Sequence, residues 1–189
     1  MSIDLAALSD GELADLTLAG RERAFAEIMR RHRDAVYRIA NANVHDADEA
    51  LNLTQETFVS AYRALRHYDA ERPMRGWLAR IALNKTRDWA RRRAVRRLFS
   101  FALPHDAAES LADTRPLPDA ETFAHQELER VRSAISDLPS SLREPLVLHA
   151  IEGMSQAQVA AVLNVTEKAV ETRLRRARIS LNSALAAGR

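Results

Sequence analysis

Near the C-terminus, Lys168, Glu171, Thr172, Arg175 and Arg176 follow one another at spacings of three, one, three and one. On a helix turning about 100° per residue this gathers them on one side, with Ile179 beside them. Val170, Leu174, Ala177 and Leu181, at steps of four, three and four, fall on the opposite side. Lysine and arginine can neutralise phosphates or reach guanine edges, and threonine and glutamate can contact bases, so the polar side is equipped to read a DNA groove. The plainer alternative is the solvated face of an ordinary bundle helix. The residues upstream favour the first reading. Ser155 and Gln158 fit a capping box that starts a short helix. Val159 and Leu163 face inward four apart, and Ala160 is small where two helices must approach. Asn164 tolerates the left-handed dihedrals of a tight turn, and Thr166 can cap the next helix. Two short helices joined in this way set a row of side chains into the major groove.

A second basic cluster lies upstream. Between Arg72 and Arg97 there are ten basic residues and one acid, Asp88. Arg91, Arg92 and Arg93, then Arg96 and Arg97, wrap most of a helix rather than one face. This suits phosphate binding, and equally a solvated helix end favoured by the helix dipole. Trp77 and Trp89 could stack on unpaired bases, or could be core residues at helical spacing. Asn84, between them, could serve a structural role or read a base edge.

The positioning elements are helical. Ser9 with Glu12 fits a capping box, so a helix starts near Asp10. Phe25, Ile28, Met29, Val36, Ile39 and Ala40 recur at helical spacing. Leu51, Phe58, Tyr62 and Leu65 mark a second amphipathic helix, in a stretch from Val44 to Ser60 that holds Asp46, Asp48, Glu49 and Glu56 but no lysine or arginine. A helix does not run easily through Arg72-Pro73, so His67 to Pro73 reads as a loop. Trp77, Leu78, Ile81, Ala82 and Trp89 form the apolar side of a third helix. Ser100 to Ala120 carries Pro104, Pro116 and Pro118 among four acids and reads as a linker. Phe99, Phe101 and Leu103 at its head are suited to docking. Periodicity resumes with Phe123, Leu128, Val131 and Ile135, and Leu138-Pro139 ends or turns that helix. The expected fold is all-α: a helical domain over 1–99, an acidic linker over 100–120 and a helix-turn-helix domain over 121–189.

Composition agrees with this division. In 189 residues, 47% are hydrophobic, 5% aromatic and only five are glycine, a balance that favours helices. The formal net charge of +2 would not by itself imply nucleic acid, but its segregation along the chain creates local fields. The absence of cysteine excludes disulfides and Cys-ligated zinc and fits a reducing cytosol. Met1-Ser2-Ile3-Asp4 has neither the basic nor the apolar region of a signal peptide. No run approaches the ~20 apolar residues of a membrane span, so no membrane insertion is expected.

Taken together these motifs resemble a bacterial sigma factor of the sigma-70 family, in its extracytoplasmic-function (ECF, group IV) branch. The likeness covers Ala24 to Arg97 and Leu138 to Leu181. Leu53-Thr54-Gln55-Glu56-Thr57-Phe58 resembles region 2.2. Trp77 to Asn84 and Asp88 to Arg93 resemble regions 2.3 and 2.4. Leu138-Pro139, Met154-Ser155, Val165-Thr166 and Arg173 to Arg178 resemble region 4. The resemblance implies two domains that bind core RNA polymerase and recognise the −10 and −35 promoter elements. It assigns Asn52, Gln55 and Glu56 to the clamp helices of the largest polymerase subunit. It assigns His67, Tyr68, Arg72, Arg75 and Asn84, with Arg91, Arg92 and Arg93, to −10 DNA, where capture of a flipped base must offset an unstacking cost of a few kcal/mol. The −35 major groove falls to Lys168, Glu171, Thr172, Arg175 and Arg176. It further implies control by an anti-sigma factor and a cytoplasmic location, nucleoid-associated when active. The sequence departs from the family at Leu51-Asn52, where an acidic pair is common, at Lys168-Ala169, where Gly-Thr is frequent, and at Glu171, where a basic residue is frequent.

Two rival classes remain open. A dimeric helix-turn-helix regulator acting without polymerase would bind palindromes and carry a dimerisation helix. A hydrolase would need a usable histidine constellation. His32, His45, His67, His105, His125 and His149 are scattered and show no ligand spacing such as His-Glu-x-x-His. The expectation is therefore a protein that is not an enzyme and has no cofactor and no metal.

Overall fold

In a computed structural model, residues 3–44, 46–102 and 122–187 are described, except for the side chains of 98–102, 122–125 and 187. Eight α-helices account for most of these residues: α1 (Asp10–Leu18), α2 (Glu22–Val44), α3 (Ala47–Ala64), α4 (Met74–Ala102), α5 (Thr122–Ser136), α6 (Ser140–Leu146), α7 (Gln156–Leu163) and α8 (Glu167–Ala187). No strand occurs among the described residues.

The starts of α1 and α7 are chemically specified. The Ser9 hydroxyl accepts from Glu12 N–H at 3.2 Å, and Glu12 accepts from Ser9 N–H at 2.7 Å. The same reciprocal pair joins Ser155 and Gln158 at 3.2 and 2.9 Å. Each box satisfies two of the amides that a helix start leaves unpaired. Before α1, Arg31 donates to the carbonyls of Leu5, Ala6 and Leu8 at 3.1, 3.0 and 2.8 Å, which ties the N-terminal turn Leu5–Ala7 to α2. Pro73 directly precedes α4, as the Arg72-Pro73 step requires.

Helices α1 to α4 form the first bundle. Phe25, Ile28, Val36 and Ile39 of α2 meet Phe58 and Ala61 of α3 and Leu78, Ala82 and Leu83 of α4, all buried. Phe25 lies edge-on to Phe58 at 6.4 Å and to Tyr62 at 5.0 Å. A smaller cluster at one end joins Ala40, Val44, Ala50 and Leu53 to Trp89. Three positions read as inward-facing in the sequence turn outward: Met29, Leu51 and Tyr62 are 39, 52 and 47% exposed. The true inner stripe of α3 runs through Ala50, Leu53, Thr54, Thr57, Phe58 and Ala61. Small residues and hydroxyls fill this seam. The Thr54 and Thr57 hydroxyls each donate at 2.7 Å to the carbonyl four residues back, which satisfies them inside the core.

Helices α5 to α8 form the second group. Pro145 has no N–H to donate within α6, and the chain loosens into a π turn over Val147–Ile151. Asn164, at φ 55° and ψ 52°, ends α7 in the left-handed conformation that lets α8 fold back. On α5, Ala134 is buried but Leu128 is 46% exposed, contrary to its place in the apolar period. Val147, Leu148, Val159, Val170 and Leu174 belong to the same continuous cluster as the first bundle's core. Helix α7 packs on α4, and α5, α6 and the π turn pack on α2.

The expected linker over 100–120 starts late, because α4 runs on to Ala102 and includes Ser100. The rest of that segment, with Leu103, and His45 and His105, lie outside the described residues, as do the side chains of Phe99, Phe101, Phe123 and His125.

Candidate nucleic-acid interface

The α7–α8 unit divides along its axis. Val170, Leu174 and Ala177 are at most 2% exposed. On the far side Lys168, Glu171, Arg175 and Arg176 are exposed and Thr172 is half-buried, so the five residues share a face as their spacing implied. The face is not uniformly cationic. Lys168 Nζ lies 2.8 Å from Glu171 Oε2, and this contact holds the Glu171 carboxyl below its ordinary range. The Thr172 hydroxyl donates to Lys168 O at 2.9 Å, leaving its methyl and its lone pairs to a ligand. Arg175 and Arg176 are then the cations on this face best placed to meet phosphate. Thr166 Oγ accepts from Ala169 N–H at 3.2 Å and fixes the start of the helix.

Next to α7, the Tyr68–Pro73 loop meets the first turns of α4 and walls a cavity of about 610 Å³. His67, Tyr68, Arg72, Arg75 and Trp77 line it, with Arg80 deeper along α4. The Tyr68 hydroxyl donates to Arg72 O at 2.6 Å, and its ring lies 5.2 Å from Trp77. The pair makes an aromatic wall braced by the loop backbone. Arg72 is drawn to Asp69 at 3.1 Å. The opposite wall comes from α7 and the turn before it: Met154, Gln158, Ala161 and Val162.

The two tryptophans therefore separate. Trp89 is 8% exposed and packed in the end cluster, so it is a core residue. Trp77 is half-buried on the cavity wall, where an aromatic surface can receive a base. Asn84 is exposed outside the cavity and accepts from Arg87 at 3.3 Å. Arg91 pairs with Asp88, Arg93 lies 5.1 Å over the Trp89 ring, and Arg92 is exposed. Residues Arg91 to Arg97 lie exposed along the outer half of α4, a cationic column away from the cavity. The residues read as one −10 group thus occupy three adjacent places: the cavity, the α4 flank at Asn84, and the arginine column.

A third surface lies on α3. Asn52, Gln55 and Glu56 are exposed at one, four and five residues beyond Leu51, which is exposed beside them, and Val59 extends the row at 49% exposed. Glu56 reaches Lys85 of α4 at 3.5 Å. The row is a mixed apolar and polar face of the kind that packs on another helix.

Sequence reasoning missed the polar contacts that join the two helical groups. Arg38 grips Glu152 with Nε at 2.8 Å and Nη2 at 3.0 Å, and Arg75 Nη2 adds 2.9 Å. Arg87 Nε reaches Glu144 at 2.8 Å. Arg143 Nε donates to Asn43 Oδ1 at 3.1 Å, and burial lowers its guanidinium pKa. Pairing with a carboxylate raises the pKa of Arg38 and of Arg87. The available signal was the pair of glutamates, Glu144 and Glu152, flanking a run that is apolar apart from His149. Among the described residues no group of three or more His, Asp and Glu could hold a metal ion. No described helix is long and apolar enough to cross a membrane.

Comparison with known proteins covers both groups. The family model "Sigma-70 region 2" matches residues 28–96 and "Sigma-70, region 4" matches 128–181. The RNA polymerase sigma factor CnrH of Cupriavidus metallidurans is 40% identical over 181 residues, 94% of this chain and 94% of that protein. The ECF RNA polymerase sigma factor SigE of Mycolicibacterium smegmatis is 36% identical, over 85% of this chain and 61% of that protein. The solved structure of CnrH in complex with the cytosolic domain of CnrY superimposes with a TM-score of 0.70 at 36% identity, covering 94% of this chain and 97% of that one. The chain belongs to the sigma-70 family of RNA polymerase sigma factors, in its extracytoplasmic-function group.

Proposed function

We propose that this sigma factor brings core RNA polymerase to its promoters through three separate surfaces. The α3 row around Asn52, Gln55 and Glu56 docks on the clamp helices of the largest subunit. The outer face of α8, with Lys168, Glu171, Thr172, Arg175 and Arg176, reads the −35 major groove. The Tyr68–Pro73 loop with His67, Tyr68, Arg72, Arg75 and Trp77 receives an unstacked base of the −10 strand. Asn84 and the Arg91 to Arg93 column track its phosphates. The role is one of recognition and strand stabilisation and needs no catalytic group of the protein's own. It is exercised in the cytoplasm, on the nucleoid when active.

The observation that carries this reading is the split of α8 into a sealed apolar face and an exposed polar one, on the same chain as an aromatic, arginine-lined cavity. Phosphate contacts supply affinity that falls with salt, and the groove and cavity supply sequence choice. Lys168 and Glu171, paired to each other, bias the −35 choice away from pure phosphate attraction. As its membership of the extracytoplasmic-function group implies, an anti-sigma protein holds the factor inactive; the relative CnrH is itself solved in complex with another protein, the cytosolic domain of CnrY.

In vitro transcription with core polymerase tests the reading. Promoter-dependent initiation is expected from the intact chain, and none from a chain carrying Arg175→Ala and Arg176→Ala. Initiation that ignores these substitutions overturns the −35 assignment. Sedimentation without polymerase is expected to give a monomer, and a stable dimer on palindromic DNA would favour a regulator that acts alone.

A further inference from the structure

The first two turns of α8 carry an ion pair that the packing of the helix does not need. Lys168 and Glu171 keep 80 and 57% of their side-chain surface. Both stand on the face opposite the sealed Val170 and Leu174. An exposed pair of this kind adds little to stability. What it does offer is a fixed pattern of polar groups. An ammonium has three donors and an ionised carboxylate about four acceptor sites. Their mutual bond, at 2.8 Å, uses one of each. A donor head and an acceptor head thus stand side by side with bonds still to make. The hydrogen bond from Lys168, then the charges of Lys168 and Arg175, hold the Glu171 carboxyl below its ordinary range. It stays ionised, so it accepts and does not donate. The Thr172 hydroxyl is committed to Lys168 O at 2.9 Å and does not compete for the pair.

The major-groove edge of one base pair is the complement of this pattern. In C·G the cytosine amino donor is followed by two guanine acceptors, O6 and N7. The amino nitrogen and O6 are hydrogen-bonded to each other, so they lie roughly 2.9 Å apart, close to the spacing of the two heads. Glu171 on the amino group and Lys168 on the guanine acceptors satisfy all three groups. In A·T the amino donor lies between two acceptors, adenine N7 and thymine O4. A carboxylate that reaches this donor turns its second oxygen towards one of those acceptors, and the thymine methyl crowds the far edge. An inverted G·C pair sets Lys168 against the amino donor. The N-terminal part of a recognition helix is also the part that contacts base edges, and Lys168 and Glu171 lie there, whereas Arg175 and Arg176 follow one turn later.

We propose that the Lys168–Glu171 ion pair is a single reading head for one C·G base pair of the −35 element, with Glu171 accepting from the cytosine amino group and Lys168 donating to guanine O6 and N7. The proposal rests on the −35 reading of the α8 face and narrows it: Arg175 and Arg176 supply affinity on phosphate, and the ion pair supplies choice.

The test uses holoenzyme assembled from the full chain and core polymerase. It is offered duplexes with a constant −10 element and a randomised −35 region, and the bound fraction is sequenced. The wild type is expected to select C·G at one −35 position by about tenfold over A·T, the size of one good two-point base contact. Glutamine pairs with adenine N6 and N7 instead, so Glu171→Gln is expected to move that same position to A·T. Lys168→Met is expected to keep cytosine there with a weaker preference. Its salt slope on the selected duplex is expected to match the wild type, because a lysine on a base edge neutralises no phosphate. A wild-type −35 selection with no C·G position overturns the proposal, as does a C·G preference that Glu171→Gln leaves in place. A salt slope lowered by about 1 in Lys168→Met puts that lysine on phosphate and overturns it too. In each of these cases the −35 reading of α8 stands. A wild type that enriches no sequence anywhere in the randomised region refutes that reading, and the proposal with it.

Discussion

Single side chains set the local geometry of this protein, and two of them can be tested directly. Ser155 closes the capping box that starts α7, so Ser155→Ala should cost about 1 kcal/mol in chemical denaturation, with Ser155→Gly costing a few tenths. Asn164 holds the left-handed residue between α7 and α8. Asn164→Gly should be close to neutral, whereas Asn164→Val, β-branched at positive φ, should lose about 1–2 kcal/mol. Glu27 offers a pH test. Hydrogen bonds from Arg30 and then Arg31 lower its carboxyl from the ordinary 4.5 to about 2. A depressed carboxylate contributes stability that is complete above the unfolded value and is lost as pH falls through the folded one. The stability difference between wild type and Glu27→Gln should therefore be constant above pH 4.5 and shrink towards about 2, as read by denaturation at stepped pH.

At the scale of the element, α8 shows how far a helix can carry a function alone. Its inner stripe is sealed and its outer row is presented at a fixed pitch. Loss of one phosphate contact should weaken binding to all −35 sequences alike and lower the salt slope by about 1. Arg176→Ala is the variant to measure, by duplex titration across salt. A base-reading change such as Thr172→Val should instead shift sequence preference at one position while keeping the salt slope. Helix α4 is a different kind of element. Its first turns build a cavity, its middle anchors Trp89 in the core, and its outer half is a cationic column. One helix thus serves packing and charge display in succession, which is why its arginines wrap all sides and give no single amphipathic face.

For the whole molecule, the decisive fact is that the two helical groups share one apolar cluster. Leu148 is fully buried in that cluster, at the π turn that packs on α2. Leu148→Ala should destabilise by about 2–5 kcal/mol, as large-to-small core changes do. Because both groups share that cluster, differential scanning calorimetry should show the loss as a lowered midpoint of one cooperative transition.

Short-range chemistry was legible in the sequence alone: both capping boxes, the left-handed Asn164, the break at Arg72-Pro73 and the two faces of α8. Each depends on residues within a few positions of one another, so propensity and helical pitch decide it. The phase of the apolar stripe was less legible. Met29, Leu51, Tyr62 and Leu128 belong to the right helices but turn outward, because small residues such as Ala50 and Ala61 can occupy the closest seam and push larger neighbours to its edge. The roles of Trp77 and Trp89 could not be separated by spacing, since only packing tells a cavity wall from a core. Tertiary structure alone decided the bonds from Arg38 to Glu152, which span 114 positions, and the meeting of Tyr68, Trp77 and Val162 around one cavity. Local pattern fixes where helices begin and which sides are polar, but which charges meet depends on how distant surfaces are brought together, and no period in the chain encodes that.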